Sequence, residues 1–300
     1  MNQQIKAQVA ILLQICIIGF SFLFVKQGLG YTDTFTQLSH RFIIGTLGIW
    51  IIRDIVPHKK VFTKAAIKDL LPLGLFYPVL FFSFQTLSLT YISTLEAGII
   101  TSIIPLLIVV FAYFLLKERP SKAQKKALVM AFVGITYINL KSQSQSASFS
   151  GWGTFLMFLS ALSSAFYTIT AKKVSQKYQT IDMTTFMLTF GMLIFTVISI
   201  LQHVSGTVTN NYFEALLQPN YLVAILYLGL LSSLGSSFLS NYAIHHLEAS
   251  TVGIFSNLSP VITILAGVMI LGESVESYQL VGITMILIPI IGMNLIKLNK

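Results

Sequence analysis

Ten stretches of mostly apolar residues follow one another along this 300-residue chain, with short polar breaks between them. They lie near 8–25, 34–53, 69–89, 94–116, 125–140, 151–171, 183–203, 221–243, 249–271 and 277–296. A run of about 18 or more apolar residues is long enough to cross the hydrocarbon core as a helix. In lipid every backbone polar group needs a partner within the protein, which leaves helices and closed barrels as the spanning structures. Ten such runs leave no length for a soluble domain. Only 10% of residues are charged, against about 25% in a soluble domain. Mean hydropathy is +0.80. The expectation is an all-α polytopic membrane protein with ten transmembrane helices.

The first run is expected to be a retained span rather than a cleaved signal. The flank after it, "FVKQGLGYTD", holds no A-x-A-like site, so it reads as a retained span. The single cysteine, Cys16, excludes an internal disulfide.

The net charge of +9 reports orientation rather than nucleic-acid binding. If loops alternate from an inside N-terminus, sixteen of the nineteen Lys and Arg fall on the inside set. Only Lys26 and Lys141 fall outside, and Arg41 lies within a span. This predicts a multi-pass protein of the cytoplasmic (plasma) membrane with both termini cytoplasmic.

The chain also repeats itself. Shifted by 155 residues, "GIITSIIPLLIVVFAYFLLKE" meets "GIFSNLSPVITILAGVMILGE". Gly98 pairs with Gly253, Pro105 with Pro260 and Glu118 with Glu273; further on, Gln124 pairs with Gln279 and Asn139 with Asn294. Shared apolar composition does not bring a proline, two polar residues and a glutamate into one register. Nearer the N-terminus, Phe20 and Lys26 meet Phe166 and Lys172 at a shift of 146. The predicted organisation is a first five-helix repeat over 1–141, a polar extracellular linker over 142–150, and a second five-helix repeat over 151–300. Five is odd, so the second half enters the membrane inverted. Inverted repeats around a central site are the architecture of alternating-access transporters.

These features resemble the EamA branch of the drug/metabolite transporter superfamily. The resemblance rests on the ten spans, the two halves, the "P…LLKE" and "P…LGE" patterns, and above all "SNYAIHHLEASTVGIFSNLSPVITILAGVMILGE". It covers essentially the whole chain. The first half departs from the pattern at Phe20, where a tryptophan is common. The resemblance implies a secondary transporter with a cavity lined by spans one to four and six to nine. Spans five and ten would be peripheral, the surface through which a homodimer would form. It names no cargo.

The candidate residues each have a functional and a structural reading. Pro105 and Pro260 remove a backbone hydrogen bond mid-span, either as hinges that gate the path or as packing kinks. Glu118 and Glu273 end paired spans and read as structural anchors. Glu96 opens the fourth span, as a cap favoured by the helix dipole or as an amine contact; Glu248 reads the same way. Arg41 is the most pointed residue. A charge at its depth costs on the order of 2.5–3.5 kcal/mol on insertion scales. It either holds a carboxylate or phosphate of the cargo, snorkels, or pairs with Glu96 or Asp33. Tyr77, Gln85, Tyr91, Tyr167, Asn241, Tyr242, Ser256 and Asn257 line a polar, aromatic path or bond neighbouring helices together. Ser232, Ser236 and Ser240 read as a close-packing face.

No H-E-x-x-H and no Walker-type loop is present, so neither a metal, an ATP motor nor any other cofactor is expected. The partners expected are a small molecule and the bilayer, with no nucleic acid. The reading reached is a non-ATP transporter of a small metabolite such as an amino acid or related amphiphile, with export the expected direction. It is not read as an enzyme. A membrane-embedded enzyme and a non-transporting sensor are the alternatives.

Overall fold

The computed structural model describes residues 3–55, 63–117, 150–256 and 258–272, with single positions and short pieces between 122 and 141 and between 275 and 288. Among the described residues the chain is helical and contains no strand. The long helices are α1 (Gln3–Leu29), α2 (Thr34–Ile55), α3 (Lys64–Ser88), α4 (Thr94–Leu116), α5 (Gly151–Val174), α6 (Thr180–Val204) and α7 (Pro219–His246). Then come α8 (Ala249–Ser256) and α9 (Leu258–Leu271). Six of these, α1 and α3 to α7, are long and apolar enough to cross a membrane. The expected fifth and tenth spans, the linker, Glu118, Glu273 and Asn257 lie wholly or mostly outside the described residues.

The helices alternate in direction. Ser88, at the end of α3, donates to the Gly153 carbonyl at the start of α5 at 2.6 Å. At the other end of the bundle Lys177, just past α5, meets Asp69 near the start of α3. α3 and α5 therefore run in opposite directions, and because Lys26 near the end of α1 reaches Leu89 at the end of α3, α1 also runs opposite to α5, as an inverted repeat requires.

The two antiparallel helices α2 and α6 form the longest seam. Thr36 bonds Ser199 at 2.8 Å at one end, and Ser39 bonds Thr196 at 2.9 Å. At the opposite end Arg53 Nη1 reaches Asp182 at 3.3 Å and Thr185 at 3.2 Å. Between them Phe42 and Phe195 pack at 5.2 Å. Without a hydrophobic drive between helices in lipid, such polar pairs and close contacts hold a bundle together. Gly45 and Gly229 show the close contact. A Cβ on Gly45 would lie 3.0 Å from the Gly229 carbonyl, and one on Gly229 would lie 2.7 Å from Ile44 and 3.0 Å from the Arg41 carbonyl.

The third helix of each half is interrupted. In α3 residues Leu75–Leu80 form a π turn, in which Tyr77 leaves helical geometry at φ −146°, ψ 109°. Pro78 follows it, and a residue before proline is pushed out of the α region. In α7 residues Tyr227–Gly235 form the second π turn. Shifting the first turn by 155 residues places it inside the second.

Each half also carries the same lysine clasp. Lys26, near the end of α1, donates to the carbonyls of Leu89 and Ile92 at 2.9 and 2.8 Å. Lys172, near the end of α5, donates to Ile244 and Leu247 at 3.0 and 2.6 Å. The two carbonyl pairs are themselves 155 residues apart. The last carbonyls of a helix lack intrahelical partners and attract cations. That accounts for the matched lysines at opposite ends of the bundle.

Candidate functional site: a central cavity

α4 is the helix that Pro105 was expected to kink. It consists of Thr94–Thr101 and Ile104–Leu116, joined where the N–H groups of Ser102 and Ile103 bond back to Ile99 and Ile100 at 3.2 Å. Pro105 sits in the first turn of the second segment, where the missing N–H has no helical partner to lose. The break lies just before the proline. Pro260 stands at the corresponding place, in the first turn of α9; its side chain is outside the described residues.

Around these interruptions lies a cavity of about 80 Å³. α1 supplies Ile11, Gln14, Ile15, Ile18 and Phe22; α3 supplies Tyr77 and Phe81; α4 supplies Thr101, Ile104 and Ile108. From the second half come Ser164, Tyr167 and Thr168 of α5, Ser240 of α7, Val252 and Ser259. Both halves contribute, near the middle of their helices. No Asp, Glu, Lys or Arg among the described residues lines it. The mainly apolar wall with a few polar groups is of the kind that lines small-molecule sites.

The wall is aromatic on one side. Tyr77 stacks on Tyr167 at 4.7 Å and on Phe81 at 4.9 Å. The Tyr167 hydroxyl donates to Asn241 Oδ1 at 2.9 Å. Asn241 Nδ2 in turn donates to Thr184 Oγ1 at 3.0 Å. This chain ties α5, α7 and α6 together. Elsewhere the hydroxyls donate to their own helices: Thr101 to Ala97 and Gly98 at 2.9 and 3.1 Å, Thr168 to Ser164 at 3.1 Å. Their oxygen lone pairs remain for the cavity. Gln14 is the one carboxamide of the described lining.

Of the expected path residues, Tyr77 and Tyr167 line the cavity. Asn241 is fully buried behind Tyr167. Gln85 is buried, with its Oε1 lacking a partner among the described residues, and it does not line the cavity. Tyr91 is 51% exposed, in the turn between α3 and α4. Tyr242 packs against His246 at 4.4 Å. Ser256 lies at the end of α8, with its side chain outside the described residues. Glu96 forms a capping box with Ser93, accepting from its N–H at 2.9 Å while Ser93 Oγ accepts from Glu96 N–H at 3.1 Å. That geometry is the cap reading of Glu96.

Arg41 is 1% exposed and does not line the cavity. Its Nε donates to Ser233 at 2.7 Å and its Nη2 to Ser232 at 2.8 Å. Its guanidinium lies over Phe82 at 4.0 Å. Nη1 has no partner among the described residues. The alternatives of a pair with Glu96 or Asp33 are not what the geometry holds: Asp33 accepts from Phe35 and Thr36 N–H as the cap of α2.

Gln14, Thr101, Ser164, Thr168 and Ser259 were not singled out by the sequence. Ser164 and Thr168, four apart on α5, carried a usable signal as polar residues on one helical face. Ser240 was read as packing, and it faces the cavity. At the bundle end near the Tyr212 loop, His40 Nδ1 bonds Tyr221 at 2.9 Å and Tyr212 bonds Ser39 at 2.6 Å. Burial raises the Tyr212 phenol above its usual range, which keeps it protonated at neutral pH.

A bundle of apolar helices, duplicated in sequence and in its π turns and clasps, with a cavity drawn from both halves, is a multi-pass membrane protein of transporter type. The chain belongs to the EamA-like transporter family, whose profile matches residues 5–140 and again 151–295. It is 40% identical over 304 residues to the uncharacterized transporter YcxC of Bacillus subtilis (strain 168), covering 100% of this chain and 96% of that one. The uncharacterized transporter YetK of the same organism is 25% identical, over 95% of this chain and 86% of its own. A protein of known crystal structure shares the fold, with a TM-score of 0.71 at 17% identity over 97% of this chain and 96% of that one.

Proposed function

We propose that the protein is a secondary transporter that moves a small amphiphilic metabolite, such as an amino acid or a relative of one, across the plasma membrane by alternating access. The observation that carries this reading is the central cavity, to which inverted halves contribute matching elements. Its aromatic faces suit an apolar body, and its hydroxyl lone pairs and the Gln14 carboxamide suit polar groups. Export is the proposed direction. Purified protein in liposomes loaded with a radiolabelled metabolite mixture tests the reading, with inside-out and right-side-out vesicles separating the directions. Folded protein that moves none of the mixture would overturn it.

The proposed topology is ten spans with both termini cytoplasmic. In a Cys16→Ser background, single cysteines at Ser146 and Lys60 should differ. An impermeant thiol reagent outside sealed cells should label position 146 and leave 60 untouched. Labelling of 60 alone reverses the orientation, and labelling of both removes the span count.

In this reading the interrupted fourth and ninth spans are the hinges. Pro105→Ala lets the break in α4 close into continuous helix, so Pro105→Ala and Pro260→Ala should slow transport about tenfold while abundance stays within about twofold; tenfold corresponds to about 1.4 kcal/mol in the balance of states. Normal rates in both would leave the prolines a packing role alone.

A further inference from the structure

Arg41 poses a problem that the cavity alone does not solve. It is a fully buried guanidinium, and none of the ion pairs among the described residues includes it. It also stands outside the lining. Burying a charge this way is unfavourable unless its contacts do something a neutral side chain could not.

Its contacts share one property. Ser232 and Ser233 belong to the π turn of α7. Phe82 belongs to the first turn after the π turn of α3 and touches Tyr77 at 4.9 Å. Tyr77 and Ser232 occupy equivalent positions of the two halves, 155 residues apart. Arg41 of α2 thus joins the π turn of the second half to the helical turn that follows the π turn of the first. Behind it the aromatic series continues without a gap, from Phe82 to Tyr77 to Tyr167 at the cavity. A π turn leaves helix hydrogen bonds out of step and needs external support. A planar guanidinium can bond two hydroxyls with one edge and stack a ring on its face, whereas an ammonium offers neither the fork nor the plane.

We propose that Arg41 is a positioning residue, which pins the π turn of the second half to the aromatic wall supplied by the first and so sets the shape of the cavity through Phe82 and Tyr77. It acts without touching the cargo. This holds whatever the cargo is, so it is tested without transport.

The reporter is Ser164→Cys, on the cavity wall, in a Cys16→Ala background. The full chain in proteoliposomes is treated with the impermeant reagent 2-(trimethylammonium)ethyl methanethiosulfonate, and the rate of modification is read. Arg41→Lys, Phe82→Leu and the pair Ser232→Ala/Ser233→Ala should each change that rate about tenfold in one direction, equivalent to about 1.4 kcal/mol in the balance of wall conformations. Combining Arg41→Lys with the serine pair should add little, because residues acting through one contact are not additive. Phe82→Tyr keeps the ring and should keep the rate. If Arg41→Lys does not insert, Phe82→Leu carries the test alone, since it alters no charge. Unchanged rates in Phe82→Leu and the serine pair would overturn the proposal, and would leave Arg41 to the cargo-contact reading. A transport assay that fails while these rates change would count against the proposed function only.

Discussion

Ser164→Phe should abolish transport and leave the protein in the membrane. Ser164 is half-buried on α5, one turn before Thr168, and its side chain lines the central cavity. A phenyl ring there fills the cavity of about 80 Å³, so it occupies existing space and costs less than the roughly 1–3 kcal/mol of overpacking a filled core. It removes the space the cargo needs. If the cavity supplies about 3 kcal/mol of cargo binding, its loss costs about a hundredfold. We expect transport to fall at least that far, with abundance within about twofold of wild type. Ser164→Ala should retain transport to within about threefold, because it leaves the space open. Full activity in Ser164→Phe would mean that cargo passes elsewhere. Equal loss of abundance in both variants would mean that Ser164 only joins helices.

Asp182→Ala should have the largest effect on folding. Arg53 and Asp182 close one end of the α2–α6 seam at 3.3 Å, with side chains 3% and 0% exposed. Taking away one partner of a buried pair typically costs about 3–5 kcal/mol, because the remaining charge stays desolvated. Most proteins have only about 5–15 kcal/mol to lose. The expected result is a severe loss of membrane-inserted protein and of thermal stability in detergent. The double variant Arg53→Met/Asp182→Leu should recover most of it, since matched apolar residues of similar size replace a buried pair at little cost. Should the Arg53 head reach the interfacial water instead, Asp182→Ala would cost less than about 1 kcal/mol, as exposed pairs do. A wild-type melting curve for the single variant would settle it that way.

The seam also shows why parts of the site were hidden. Arg53 counted in the sequence only as one more basic residue of the inner set, and Asp182 was not singled out. Their pairing joins positions 129 residues apart and depends on the register of two antiparallel helices. Arg41 stood out in the sequence as an unusual charge within a span. Its partners, Ser232, Ser233 and Phe82, depend on two π turns that the sequence does not announce. Each π turn inserts an extra residue into the helix and rotates the residues beyond it. Faces counted at 3.6 residues per turn therefore drift past Tyr77 and past residue 227. Gln85 and Tyr242, both beyond those turns, were assigned to the path, and neither lines the cavity.

What the sequence determined by itself was the membrane, the helical class and the duplication. Hydropathy summed over about twenty residues is a one-dimensional quantity, and backbone satisfaction in lipid leaves few structures compatible with it. A proline, a glutamate and a lysine recurring in step can likewise be read along a line. The tertiary structure alone decided which polar groups face the cavity. Lipid-facing and bundle-facing positions are almost equally apolar here, so no amphipathic stripe separates inside from outside as it does in water. Tyr167 at the cavity, Asn241 behind it and Glu96 in its own cap differ in helix rotation and neighbours, while Tyr91 stands exposed in a turn, and those differences are set by packing in three dimensions.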